Sequence, residues 1–172
     1  MPVESAVLVP VYRDAAGQLQ VVLVVRAAHG VHGGQIALPG GVRDSSDAGL
    51  RETALREAEE EIGLPNASVE VIQELPSVLV PTGFRITPFL ARLRTEPPVW
   101  RPQDGEVAEV LTVSVADLAR EELRGEELWA RPLWPAPMTV RFVRLGPHKL
   151  WGATFKILEP IVPRLLAGEW SI

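Results

Sequence analysis

Between Arg56 and Leu64 the chain reads REAEEEIGL, with glutamates at 57, 59, 60 and 61. This closes the segment SSDAGLRETALREAEEEIG, where Leu50, Ala54, Leu55, Ala58 and Ile62 recur at the spacing of one helix face. Ser45, Ser46 and Asp47 are expected as caps, and Gly63 with Pro65 ends the helix. On such a helix Glu57, Glu60 and Glu61 are neighbours, Arg56 stands beside them and Glu59 turns away. Three carboxylates on one face repel one another, so the fold must leave them in water or set a cation among them. Oxygen-only donors of this kind suit magnesium or manganese. A solvated acidic face is the plainer reading of the glutamates alone. The preceding text is what sets them apart.

That text is HGVHGGQIALPGG, His29 to Gly41, with five glycines and a proline. Such a stretch is a loop or turn where backbone must come close to something. Before it, Ala6–Tyr12 and Leu19–Arg26 read as strands joined by a turn, the second apolar throughout and hence buried on both faces. After the helix come strand-like pieces at Val69–Glu74, Val78–Val80, Arg85–Leu93 and Glu109–Val113. A second helix is expected over Val115–Glu122, then a proline-rich crossing with a strand, then a helix over Ala153–Leu166 interrupted by Pro160 and Pro163. This order predicts an α/β fold, a sandwich layered around one sheet, in a single domain over residues 1–172.

Composition narrows the function classes. Seventeen basic against 22 acidic residues give a net charge of −5, which argues against a nucleic-acid binder, since counterion release needs a clustered basic face. There is no cysteine, hence no disulfide or thiolate site. The longest apolar runs are strand-length, far short of the ~20 residues of a membrane span. A cytoplasmic protein acting on a small molecule is expected, and a homodimer is one assembly left open.

The stretch GVRDSSDAGLRETALREAEEEIGL, Gly41 to Leu64, resembles the Nudix box: glycine, five residues, glutamate, seven residues, then Arg-Glu-apolar-x-Glu-Glu-x-Gly-apolar. Arg56, Glu57, Ala58, Glu60, Glu61, Gly63 and Leu64 match in order. Asp47 stands where the family usually has glutamate, and eight residues rather than seven separate it from Arg56. The resemblance implies a Nudix-type α/β/α sandwich around a mixed sheet, and hydrolysis of a nucleoside diphosphate linked to another moiety. It implies Mg²⁺ or Mn²⁺ held by Glu57, Glu60, Glu61 and the Gly40 carbonyl, with Arg56 orienting a helix carboxylate. Glu106 and Glu109 lie in DGEVAEV, where the family often places an extra loop carboxylate as base or ligand; Glu106 is the preferred candidate, with a solvated loop as the plainer reading.

Flanking residues resemble the coenzyme A pyrophosphatase branch of that family. Arg26, His32, Gly34, Gln35, Pro39, Gly40 and Gly41 match its motif before the box, with Leu38 in place of a phenylalanine. VPTGFRITPFLA and LWGATFKILEPIV are similar to later segments of the branch. The implied reaction cleaves coenzyme A to 3′,5′-ADP and 4′-phosphopantetheine. Arg26, His32 and Gln35 are then expected at the substrate, with Phe84 stacking on the adenine; a lone loop histidine or a strand aromatic more often has a structural role. His29 and His148 are read as structural, and Trp129, Trp134 and Trp151 as packing or an interface. The alternatives are a Nudix enzyme for ADP-ribose, a dinucleoside polyphosphate or an oxidised nucleotide, and a non-catalytic Nudix-fold binding module. The retained glutamates weigh against the last.

Overall fold

The computed structural model describes residues 1–29 and 33–172. Strands β1 (Val3–Arg13) and β2 (Leu19–Arg26) form the expected hairpin, its turn fixed by Asp14 Oδ1, which accepts N–H groups of Ala16 and Gln18. The two strands pair only near that turn, from Val11↔Val21 to Arg13↔Leu19, and then diverge. Two short strands enter the opening. β3 (Ile36–Ala37) pairs with β2, and β4 (Gly40–Val42) pairs with β1 at Ser5↔Val42 and Val7↔Gly40. Residues 36–42 therefore enter the middle of the sheet rather than lying over its edge.

β5 (Val69–Glu74) and β6 (Val78–Leu79) both pair antiparallel with β7 (Phe84–Leu93), which runs parallel to β1. β8 (Val107–Ser114) pairs antiparallel with β2, making the sheet mixed. Side chains alternate along these strands. Ala6, Leu8, Val22 and Val24 face helix α1 (Leu50–Ile62), where Ala54, Ala58 and Ile62 meet them. Val9, Val11, Val21 and Leu23 face helix α3 (Gly152–Leu166), which contributes Phe155, Leu158, Ile161 and Leu165. Helices thus cover both faces, and β2 is buried on both, as its sequence predicts.

Several boundaries differ from expectation. The helix expected over 115–122 is short, α2 (Val115–Leu118), followed by a 3₁₀ turn at Glu121–Leu123. A three-stranded sheet then forms from β9 (Arg124–Trp129), β10 (Met138–Leu145) and β11 (His148–Leu150). Helix α3 is continuous through Pro160 and Pro163. Both prolines face water, where the carbonyls they leave without a partner can be hydrated, while the opposite face packs on the sheet. An interior proline costs ~3 kcal/mol, and each large buried side chain returns about 1.5–3 kcal/mol. Packing wins.

Candidate active site

Helix α1 begins at Leu50 after Gly49 in extended backbone, without a side-chain cap. Two of the expected caps, Ser46 and Asp47, have other partners. Asp44 Oδ1 accepts both the N–H and the hydroxyl of Ser46, forming a local turn, and Asp47 folds inward to 7% exposure. There Asp47 meets Arg56 side-on, Nε to Oδ1 at 2.8 Å and Nη2 to Oδ2 at 3.0 Å, and accepts from Thr53 Oγ1 and the Asp44 N–H. The guanidinium holds the Asp47 carboxyl well below the usual carboxylate range, and Asp47 in turn raises the proton affinity of Arg56. Arg56 also reaches Glu57 Oε1 at 3.1 Å, Glu60 Oε2 at 3.3 Å and the Val42 carbonyl.

At its other end α1 closes on Gly63 in the left-handed region (φ 72°), which only glycine adopts cheaply. The Arg101 N–H then donates to the Ile62 carbonyl and the Gln103 N–H to the Glu61 carbonyl. The segment leading to Glu106 is therefore tied to the end of the same helix. The Ala27 N–H bonds the Glu106 carbonyl at 3.0 Å, and His29 Nε2 bonds the Gly105 carbonyl.

Glu61 occupies the centre of this arrangement. It is 7% exposed, and its Oε2 accepts the Gly40 N–H at 3.3 Å. Burial pushes its carboxyl up to about 7; Arg26 and the Gly40 N–H oppose that rise, while Glu57 and Glu106 add to it. Burial likewise raises Glu57, against the pull of Arg56. Glu60 stays half in water with its side chain 49% exposed, and Glu59 is exposed, turned away as expected. The glycines are needed for this approach. A Cβ on Gly41 would stand 2.5 Å from Glu57 Oε1, and one on Gly40 would stand 2.3 Å from the Ala6 carbonyl oxygen.

The fold thus brings Arg26, Gly40, Arg56, Glu57, Glu60, Glu61 and Glu106 together. Gln35 stays beside them through its backbone, its carbonyl accepting the Arg26 N–H at 2.9 Å. Phe84 is not among them. It pairs with Val3, four positions along β1 from Val7 and Gly40, roughly 13 Å at strand rise. His32 lies outside the described residues. His148 approaches Glu109, Nε2 to Oε2 at 3.9 Å. Two groups escaped the sequence reading. Thr53 and the 101–103 segment act through contacts that no local spacing signals.

No three acidic or histidine side chains among the described residues stand close enough, as placed, to enclose an ion. The donors nonetheless fit a hard divalent cation: carboxylates only, two of them with proton affinity raised by burial. The Leu8 N–H bonds the Pro39 carbonyl and the Arg43 N–H bonds the Glu4 carbonyl, so residues 39, 41 and 43 face β1. Gly40 accordingly turns its N–H and carbonyl away from β1, the N–H towards Glu61.

An eight-stranded mixed sheet between helices, with this loop and helix at its opening, is the architecture of a phosphoanhydride-cleaving family. The NUDIX domain model matches residues 2–133, and the chain belongs to the Nudix hydrolase family. It is 44% identical over 114 residues to an uncharacterized Nudix hydrolase, NudL, of Salmonella newport, matching 66% of this chain and 58% of that protein. A crystal structure of a Nudix hydrolase from M. smegmatis, RenU, aligns with TM-score 0.59 at 30% identity, over 69% of this chain and 74% of its own. The NUDIX domain of Shewanella oneidensis NrtR, complexed with ADP ribose, has the same fold (TM-score 0.53, 24% identity, 69% of this chain and 77% of its own). No helix among the described residues is long and apolar enough to cross a membrane.

Proposed function

We propose that the chain, acting as one domain, hydrolyses the diphosphate bond of a nucleoside diphosphate-linked compound, and that this compound is coenzyme A or a derivative. The observation that carries the reading is the buried Glu61 carboxylate against Gly40, flanked by Glu57 and by Arg26 on the opposite rim. A Mg²⁺ or Mn²⁺ ion held by Glu57, Glu60, Glu61 and the Gly40 carbonyl would neutralise the diphosphate and make water a stronger nucleophile. Arg56 fixes Glu57 and Glu60 from the side, and is itself fixed by Asp47. Arg26 faces the site from the end of β2 and supplies a fork for a phosphate oxygen. Glu106, on a segment bonded to both Ala27 and the end of α1, is assigned to accept the proton of the attacking water. Choice of coenzyme A rests on the Arg26, His32, Gly34 and Gln35 pattern.

The test is incubation with coenzyme A and each metal, with the products identified by mass. Release of 3′,5′-ADP and 4′-phosphopantetheine is expected. Faster cleavage of ADP-ribose or a dinucleoside polyphosphate on the same panel would move the assignment to that substrate, and no cleavage of any would leave a binding module.

A further inference from the structure

Around residue 133, where the Nudix match ends, the chain builds a second cluster of chemistry-bearing side chains from residues on both sides of that limit. In the connection from β9 to β10, a turn closed by the Trp134 N–H on the Arg131 carbonyl sets both side chains on one side. The Arg131 guanidinium carbon lies 5.3 Å from the ring centre of Trp129, 5.9 Å from that of Trp134 and 4.6 Å from that of Trp151. Trp151 meets both other indoles edge-on, at 5.2 and 6.2 Å.

Charge within the cluster is unevenly satisfied. Lys149 is neutralised by Glu127, Nζ to Oε2 at 2.9 Å, and the Trp129 indole N–H is taken by the same carboxylate at 2.7 Å. The Arg131 guanidinium has no carboxylate or carbonyl partner among the described residues, although it is half-buried. The result is a cation set among three indoles, its N–H fork without a partner among the described residues, on a chain of net charge −5. Position adds to this. β11, which leads directly into Trp151, packs against β3, the strand that delivers Pro39, Gly40 and Gly41. At the start of β11, His148 approaches Glu109, and Glu109 pairs with Val25, next to Arg26.

We propose that Arg131 with Trp129, Trp134 and Trp151 is a subsite for a phosphorylated nucleoside moiety of the substrate, lying beyond β3 from the diphosphate. The indoles provide apolar surface beside the cation for a base, and the guanidinium fork takes a phosphate monoester outside the cleaved diphosphate. This rests on the reading above and names how it would select substrates carrying that additional phosphate.

Titration of intrinsic tryptophan fluorescence in metal-free protein separates the two claims. 3′,5′-ADP is expected to quench saturably and to bind more tightly than AMP. Arg131→Ala should weaken its Kd by about tenfold or more, the worth of a charge-assisted contact. Arg131→Lys, which keeps the charge over the rings but loses the fork, should recover only part. Leu128→Ser, a change at a 71%-exposed neighbour, should leave Kd unaltered and reports on folding of the hairpin. In turnover the Arg131→Ala loss should fall on KM. Absence of saturable quenching by 3′,5′-ADP, or an Arg131→Ala Kd within twofold of the parent, would overturn the subsite. Binding of 3′,5′-ADP without hydrolysis of coenzyme A would support the subsite and refute the substrate assignment instead.

Discussion

Asp47 and Arg56 share two parallel hydrogen bonds, at 2.8 and 3.0 Å, across the loop that joins β4 to α1. From this loop the Asp47 carboxylate reaches the guanidinium that in turn bonds Glu57 and Glu60. Asp47→Ala would remove the acceptor of Arg56 Nε and one acceptor of Thr53, while Arg56 keeps Glu57 and Glu60 and Thr53 keeps the Gly49 carbonyl. A hydrogen bond to a charged group contributes about 1.5–3 kcal/mol, so a Tm drop of roughly 3–12 °C is expected for a domain of this size. The Asp47 carboxyl is lowered in the folded state, so its stabilisation is complete above the unfolded value, begins to fade as pH falls below about 4, and is lost only as pH falls through the lower folded value. Thermal melts of parent and variant should therefore converge in acid. Curves that stay parallel from pH 7 to pH 3 would show that the pair contributes no linked stability.

Glu61 behaves in the opposite sense. Its carboxyl is raised to about 7 in the fold, so the metal-free protein binds an extra proton and loses stability as pH rises from about 4.5 to 7. Glu61→Gln should remove that loss, stabilising metal-free protein at pH 8 by up to about 3 kcal/mol, while turnover falls by orders of magnitude. Calorimetry at pH 5 and pH 8 checks it. A variant less stable than the parent at pH 8 would refute the reading of Glu61 as a strained ligand.

The two adjacent glycines should fail differently. A Cβ on Gly40 meets backbone of β1, so Gly40→Ala is expected to destabilise the fold itself. A Cβ on Gly41 meets the Glu57 carboxylate first, so Gly41→Ala should stay folded yet lose about tenfold or more in kcat through a displaced ligand. Gly17 has open space around it, and Gly17→Ala should cost only about 1 kcal/mol of backbone strain, with activity retained. Equal kcat losses in soluble, folded Gly17→Ala and Gly41→Ala would undo this placement.

Arg26→Ala should raise KM for coenzyme A by about tenfold to a hundredfold. Because Arg26 also lowers the proton affinity of Glu61, its loss should shift the acid limb of the pH–rate profile upward. A KM increase without that shift would place Arg26 on the substrate alone.

The helix bearing the glutamates was legible because its apolar spacing, its closing glycine and the glycine-rich text before it all agree. β2 was legible as an unbroken apolar run. β9 was not: RGEELW lacks a simple apolar alternation, and its strand exists because Phe142 and Trp129 stack across the hairpin, 6.0 Å between centroids. The continuity of α3 was missed because proline is a local signal, and packing of Phe155, Leu158, Ile161 and Leu165 overrides it. Asp47 was legible as a box position but not as the partner of Arg56. That contact depends on the route of residues 43–49, which no helix or strand period encodes.

The diverging hairpin has a further consequence. The segment between Arg26 and Ile36 has one foot bonded into β2 and the other in β3, and Gly40–Val42 is fastened separately to β1. Residues can be gained or lost in that segment without moving the glycines that meet Glu57 and Glu61. If that segment selects the substrate, as proposed above, substrate choice can drift while the helix bearing Glu57 and Glu61 stays unchanged, and a lineage can acquire a new diphosphate by rewriting about ten residues.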